Sequence, residues 1–502
     1  MISAPAGPRL VIVSNRLPVV AEAVDGRWRL QPGSGGLVTA LAPLLRDRGG
    51  VWIGWPGSTE PPDSDLGRML RASSRETGYE LEPVHLDERE RHFYYQSFAN
   101  EIIWPVFHDL PSHCRLPTEA WQVYDDVNAR FAASARSRAG PDDFIWIHDY
   151  HLMLVARHLR RLGAANSLAF FLHTPFPAPD NYLKMPRRHQ ILSDLLAHDL
   201  VGFQASRDCR NFVQCVRALL GAEVRIVRHR NRVSITHQQG TTQAGVFPIG
   251  IDFASFEREA AGEAVARRAR YLRDQFRGRQ IALGVDRLDY TKGLPEKLRA
   301  FREALRRWPE LRGQITLVQV VVPSRHEVGG YGDLKEELNR LCGEINGEFT
   351  RPGWVPVHYL YRNLERPELL AYYRAADLML VTPFKDGMNL VAKEFIAANH
   401  DRHGVLVLSE FAGAVGQLHR WSLTVNPHDV EHVAAAIHAA WSLPAADRRR
   451  RLTFLRQAVR RHDVFWWVDS FLRAALSRGL DDFPRLEEYT PRRRRFGLEV
   501  AG

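Results

Sequence analysis

Short apolar runs that stop abruptly at polar residues, separated by helix-length segments, constrain this chain more than any other feature. Residues 10–14 are such a run, and 51–54, 144–147, 168–173, 200–203 and 224–227 repeat it. A strand buried on both faces reads this way. Helical stretches such as 118–136 and 207–220 lie between the runs. Strand–helix alternation predicts a parallel sheet with helices on both faces, and ligands bind at the carboxyl ends of such strands. Polar residues gather at those ends: Asn15-Arg16, His148-Asp149 and His173-Thr174.

The pattern breaks near Phe247-Pro248-Ile249-Gly250 and then restarts. Runs at 281–285, 315–321, 357–361, 378–382, 405–409 and 423–426 read as strands, and 295–307, 331–345, 366–376 and 430–441 as helices. A chain of 502 residues holds two to four domains at roughly 100–200 residues each. The fold class is therefore α/β, with two doubly wound domains facing a central cleft, the first over 1–246 and the second over 247–461. An apolar, aromatic-rich helix follows at 464–476, and 481–502 reads as a basic tail, a solvated surface before it is a polyanion contact.

At 45% hydrophobic and 25% charged residues the chain is globular in composition, not disordered. No apolar run reaches the ~18–20 residues of a membrane span, and the N-terminal residues lack a secretory pattern. Four cysteines in so long a chain form no disulfide framework, so a reduced, cytoplasmic protein is expected. Lys plus Arg outnumber Asp plus Glu by 68 to 58, which fits a solvated surface or an anionic partner. Only six basic residues are lysine: Lys184, Lys292, Lys297, Lys335, Lys385 and Lys393. In such a chain each lysine is a candidate for a role that needs a compact ammonium.

Five stretches carry chemistry. Gly33-Ser34-Gly35-Gly36-Leu37 suits a phosphate at a helix N-terminus, although such a cluster taken alone is more often a structural turn. It fails the dinucleotide fingerprint, and no G-x-x-x-x-G-K-[ST] occurs, so a nicotinamide enzyme and a P-loop ATPase are set aside. His148-Asp149-Tyr150-His151 admits a metal pair, loop packing or hydrogen bonds to a polar ligand. Its spacing at a strand end does not converge all three ionisable side chains, which weighs against the metal. The prolines of His173-Thr174-Pro175-Phe176-Pro177 stiffen a loop, as in a site wall or a bare turn. Arg287 and Lys292, in Arg287-Leu288-Asp289-Tyr290-Thr291-Lys292-Gly293 before a helix at Pro295, suit a diphosphate, with Arg325 as a third cation; taken singly each reads equally as surface charge, but three at strand ends favour the anion. In Asp386-Gly387-Met388-Asn389-Leu390-Val391-Ala392-Lys393-Glu394, backbone amides and two acids suit a sugar or phosphate, or an ordinary capped helix start.

Together with Val13-Ser14-Asn15-Arg16, Trp52-Ile53-Gly54-Trp55, Tyr95, Trp104-Pro105 and Gly353-Trp354, these stretches resemble the trehalose-6-phosphate synthase family of retaining nucleotide-sugar glycosyltransferases. The resemblance runs from Leu10 to about Leu476. It implies the GT-B arrangement of two Rossmann-like domains, with a helix within 462–480 crossing back onto the first. It implies that Arg16, Tyr95, Trp104 and Arg325 hold an acceptor sugar phosphate and that Asp149 faces the acceptor and the reaction centre. Gly35 and Gly36 would lie at the donor, and His173 beside its sugar. Arg287 and Lys292 would take the diphosphate, and Asp386 with the amides of Asn389 and Leu390 the hexose. Val391 and Glu394 would hold the nucleoside, with Ala392 and Lys393 in the same stretch and Leu364 against the base through its backbone. The loop at 21–32 is longer than in the shortest relatives.

The implied reaction moves glucose from UDP- or GDP-glucose to glucose 6-phosphate, with no cofactor, no metal, no nucleic acid and no membrane. A homo-oligomer, dimer or tetramer, is implied by the resemblance alone. The alternatives are an acceptor such as glycerol 3-phosphate, a catalytically silent sugar-phosphate sensor, and a basic nucleic-acid binder.

Overall fold

In β1 (Leu10–Arg16), Leu10, Val11, Ile12 and Val13 are buried, and burial ends at Asn15 and Arg16. The computed structural model describes residues 9–24, 27–33, 36–110, 118–323, 331–477, 483–484 and 489–491. The chain divides into two units, Met1–Pro248 with Trp467–Arg485, and Ile249–Trp466 with Leu486–Gly502.

In the first unit, β2 (Val19–Val24) and β3 (Arg27–Pro32) pair antiparallel as a separate two-stranded sheet. The stretch 21–32, expected as a loop, is therefore mostly strand. Its cross-strand pairs Glu22–Arg29 and Ala23–Trp28 belong to a half-solvated ribbon, which carries no continuous apolar run. The glycine cluster follows β3 in the chain, and Gly36 opens the helix Gly36–Arg48.

The large sheet adds β4 (Gly50–Trp55), β5 (Glu80–Pro83), β6 (Phe144–His148), β7 (Leu168–Leu172), β8 (Leu200–Phe203), β9 (Arg225–Arg228), β10 (Arg232–His237) and β11 (Gly240–Val246). Its nine strands run in the order β5-β4-β1-β6-β7-β8-β11-β10-β9. Pairing is parallel from β5 through β11, but β10 lies antiparallel to both of its neighbours. The wholly parallel sheet expected from strand–helix alternation is thus corrected at this edge. The links 229–231 and 238–239 are too short for a crossover helix, so the strands can only meander. On one face, Phe471 of the helix Val464–Ser477 stacks on Trp146 with centroids 4.4 Å apart.

The second unit holds β12 (Gln280–Arg287), β13 (Ile315–Val322), β14 (Val357–Tyr361), β15 (Leu378–Val381), β16 (Val405–Ser409) and β17 (Leu423–Val425). All pairs are parallel, in the order β14-β13-β12-β15-β16-β17. Residues alternate between two cores: Ile281, Leu283 and Val285 enter one, while Ala282 enters the other, as do Leu378 and Leu380 opposite Met379 and Val381. Two buried faces explain why these strands read as unbroken apolar runs.

In each sheet the chain builds outward to one side of its first strand and then returns to the other. The reversal falls between β1 and β6 in the first unit and between β12 and β15 in the second. Loops leaving the carboxyl ends of such strand pairs diverge and open a crevice. Arg16 and Asp149 follow one switch point; Arg287, Lys292 and Asp386 follow the other.

Candidate active site

At the first switch point the Arg16 guanidinium carbon lies over Trp55, 3.9 Å from the ring centroid, and 5.5 Å from that of Tyr95. Contact of this kind, together with a side-chain hydrogen bond to Tyr95, positions a guanidinium fork whose remaining N–H groups suit an anion. Tyr95 comes from Arg91–Ile103, a run of wide π-helical turns. Asn100 of the same run donates to the Tyr95 carbonyl (2.6 Å) and accepts the Tyr150 hydroxyl (2.8 Å). Tyr95 stacks on His151 with centroids 5.6 Å apart, and buried Trp104 packs on His108 and Tyr150. Reading the sequence missed this helix because its apolar residues follow no 3.6-residue period; the density of aromatics was the available signal.

Asp149 sits at φ 72°, ψ 167°, a region that glycine occupies and other residues rarely do. Hydrogen bonds hold it there: its N–H donates to the Phe171 carbonyl (2.8 Å), its carbonyl accepts the Leu152 N–H (3.1 Å), and its Oδ1 accepts the His173 N–H (3.2 Å). Such strain is of order 1–3 kcal/mol and persists where the surroundings over-determine it. One residue earlier, His148 Nδ1 meets His173 Nε2 at 3.2 Å, and Gln204 Nε2 stands 3.4 Å from His173 Nδ1. With the Gln204 amide donating to Nδ1, His173 carries its proton on Nε2 and donates to His148. Burial holds His173 down to about 3, and burial together with His173 keeps His148 well below the usual imidazole range. Both rings are therefore neutral near pH 7. The four-residue motif at 148–151 thus splits: His148 turns to His173, while His151 stacks on Tyr95.

The second switch point carries charge. Arg287 is exposed at the end of β12. Asp289 accepts the Thr291 N–H (2.9 Å) and hydroxyl (2.8 Å), turning the chain into a short 3₁₀ segment that ends at Lys292. Gly293 follows at φ 59°, where a Cβ would lie 3.0 Å from the Thr382 carbonyl oxygen, so the turn and the close approach both require glycine. The helix Leu294–Arg307 starts there, its N-terminal dipole facing the same loop. Lys292 Nζ bonds Asp386 Oδ2 at 2.6 Å, and Asp386 also accepts from Asn389 Nδ2 (3.1 Å) and the Met388 N–H (3.2 Å). Asn389 adopts the left-handed conformation and caps the Ala392 N–H, which leaves Leu390 and Val391 as the first-turn amides without an intrahelical acceptor.

The remaining expected site residues are placed as follows. Glu394 accepts the Tyr373 hydroxyl at 2.9 Å, and burial raises its carboxyl above the usual range. Lys393 points into the protein: its ammonium donates to the Ile249 carbonyl (2.6 Å) and to Gln417 (2.5 Å), and burial lowers it to about 7. The Leu364 side chain belongs to the core beneath the sheet. Gly35 and Arg325 lie outside the described residues. Among the described residues no three His, Cys, Asp or Glu side chains converge as a metal site, and no helix is long and apolar enough to cross a membrane.

Two open α/β sheets, each with polar side chains gathered at its switch point, define the GT-B class of two Rossmann-like domains. The chain belongs to glycosyltransferase family 20, whose model matches residues 8–477. It is 43% identical over 471 residues to the trehalose-6-phosphate synthase of Mycobacterium leprae, covering 92% of this chain and 94% of that relative. Among solved structures it is similar to a UDP-forming α,α-trehalose-phosphate synthase from Burkholderia xenovorans in complex with glucose-6-phosphate. That likeness has a TM-score of 0.82 at 32% identity, covering 93% of this chain and 99% of the other. An E. coli protein bound with UDP-2-fluoro glucose matches with a TM-score of 0.82 at 34% identity, covering 93% and 98%.

Proposed function

We propose that this chain transfers glucose from a nucleotide-glucose to glucose 6-phosphate with retention, releasing nucleoside diphosphate and forming α,α-trehalose 6-phosphate. The observation that carries the reading is the Lys292–Asp386 pair. A cation suited to a leaving diphosphate and a carboxylate suited to hexose hydroxyls sit 2.6 Å apart, where the bond between those two groups is to be broken.

In the reaction the C1–O bond to the diphosphate breaks and its electron pair leaves with the phosphate. Arg287, Lys292 and the Leu294 helix start receive that charge without reorganising. The Leu390 and Val391 amides hold the donor, and Glu394 takes the ribose hydroxyls. The C1 hydroxyl of the acceptor attacks from the face the phosphate departs, and its proton passes to a diphosphate oxygen. A neutral His173 suits an oxocarbenium-like sugar better than an imidazolium, which would repel it. Arg16, stacked on Trp55, grips the acceptor phosphate from the first unit, beside Tyr95 and Trp104. Arg325 and Gly35 remain part of the proposal by resemblance.

The relative from B. xenovorans is named UDP-forming, so UDP-glucose is the first donor to test. The cytoplasmic reading is supported by Cys209, Cys215 and Cys342, which are buried, free thiols that burial pushes up to about 12. The deciding experiment measures nucleotide release over a matrix of nucleotide-glucoses and acceptors, with NMR assignment of the product anomers. Glucose 6-phosphate is expected to be the best acceptor. Faster turnover with glycerol 3-phosphate, or no turnover with any pair, overturns the reading.

A further inference from the structure

Lys297 is one of the six lysines, and its side chain is entirely buried. Its ammonium lies 2.5 Å from Asp286 Oδ2, and the same oxygen accepts from Gln319 Nε2 at 3.0 Å. Space for this group is made on the neighbouring strand position: a Cβ on Gly284 would stand 2.1 Å from Gln319 Oε1. Two strands and a helix thus cooperate to bury one carboxylate and one ammonium.

Stability does not account for such a pair. Removing two charges from water costs about as much as their attraction returns, and apolar replacements of similar volume are often neutral or stabilising. Position in the chain offers the reason. Asp286 immediately precedes Arg287, and Lys297 follows Lys292 within the second turn of the helix Leu294–Arg307. A bond from 286 to 297 therefore closes the intervening segment at both ends. The backbone of the loop inside is also held by the Leu288 N–H on the Val322 carbonyl (2.8 Å) and by the Phe384 N–H on the Thr291 carbonyl (2.9 Å), and its Lys292 side chain by Asp386.

We propose that the buried Asp286–Lys297 pair is a clasp that positions the Arg287–Lys292 loop for the leaving diphosphate, acting through those residues without touching substrate. The proposal rests on the reading that Arg287 and Lys292 receive that diphosphate. Displacement of a catalytic group by about 1 Å can cost on the order of 10²-fold in rate, so a loosened clasp lowers kcat while the fold survives.

The test compares the double variants Asp286→Leu/Lys297→Met and Asp286→Asn/Lys297→Gln with wild type. Each removes both charges, so neither leaves an unpaired buried ion. Both are expected to melt within a few degrees of wild type, to keep the acceptor KM, and to lose roughly tenfold to hundredfold in kcat. Wild-type kcat in a folded double variant overturns the clasp, as does failure of both variants to fold, which makes the pair a stability element. Arg287→Ala is the parallel arm. Undiminished turnover there overturns the diphosphate reading itself; an inactive Arg287→Ala beside a fully active double variant overturns only the clasp.

Discussion

The two switch points handle polarity in opposite ways. In the second unit, function is assigned to opposite charges held in contact, Lys292 against Asp386. In the first, the polar groups are kept neutral or spread over π-faces: His148 on His173, Arg16 on Trp55. On the proposed function, the difference follows from what each would meet. A diphosphate gains charge as its bond breaks, so fixed cations lower that barrier. An acceptor phosphate carries the same charge throughout, and a planar, stacked fork recognises it without having to respond.

The sharpest way to break this comparison is Lys292→Ala. Removal strips a charge from the leaving group and leaves Asp386 facing an anion, so kcat is expected to fall on the order of 10²–10³. Acceptor binding, measured by calorimetry, should stay unchanged. If kcat and acceptor affinity fall together and slightly, the division between halves is wrong.

Arg16→Ala should have the complementary signature. Loss of charge-assisted hydrogen bonds worth about 1.5–3 kcal/mol raises the KM for glucose 6-phosphate by roughly tenfold to a hundredfold. The donor KM is expected to stay put, and the preference for glucose 6-phosphate over glucose to collapse. Arg16→Lys should not rescue, because an ammonium over Trp55 cannot present a fork.

A smaller effect tests the neutral histidines. The folded His173 titrates at about 3, well below its ordinary 6.5. Above 6.5 both folded and unfolded chains hold it neutral and its contribution is complete. Between 6.5 and 3 the unfolded chain binds a proton that the folded one does not, so stability falls as pH falls. At pH 5 this amounts to about 2 kcal/mol. Thermal melts of His173→Gln against wild type should show a shallower acid slope for the variant. Rates, meanwhile, should show no inflection from His173 between pH 5 and 8.

The smallest expected effect is that of excess chelator, since on the proposed function Arg287 and Lys292 supply the cationic partner. Turnover should change little; abolition, with rescue by one stoichiometric metal, would overturn the charge-pair account.

Much of the fold is legible because strands buried on both faces leave unbroken apolar runs; β1, β6, β12 and β16 could hardly be read otherwise. Ribbons with one wet face were not legible. β2 with β3, and β10 with β11, mix threonine, arginine and small residues, and only their pairing partners make them strands. Strand order was hidden as well, because nothing local tells β15 to return beside β12. The candidate site was legible as segments but not as contacts. His148 meets His173 only because β6 and β7 align His148 with Phe171, and Lys292 meets Asp386 across 94 residues. The buried Lys297 carried no signal beyond the rarity of lysine.

That rarity has a practical side in chemical modification. Of the six lysines, Lys297, Lys385 and Lys393 are buried and Lys292 is ion-paired, which leaves Lys184 exposed and Lys335 half-buried over Tyr361. Amine-acylating reagents, surface tethers and lysyl endoproteases therefore address the native side chains at few points, chiefly around residue 184. A preparation coupled to a resin through its lysines would be held in a narrow set of orientations rather than at random. Acylation at Lys292 could then be read as a rare label that bound donor suppresses.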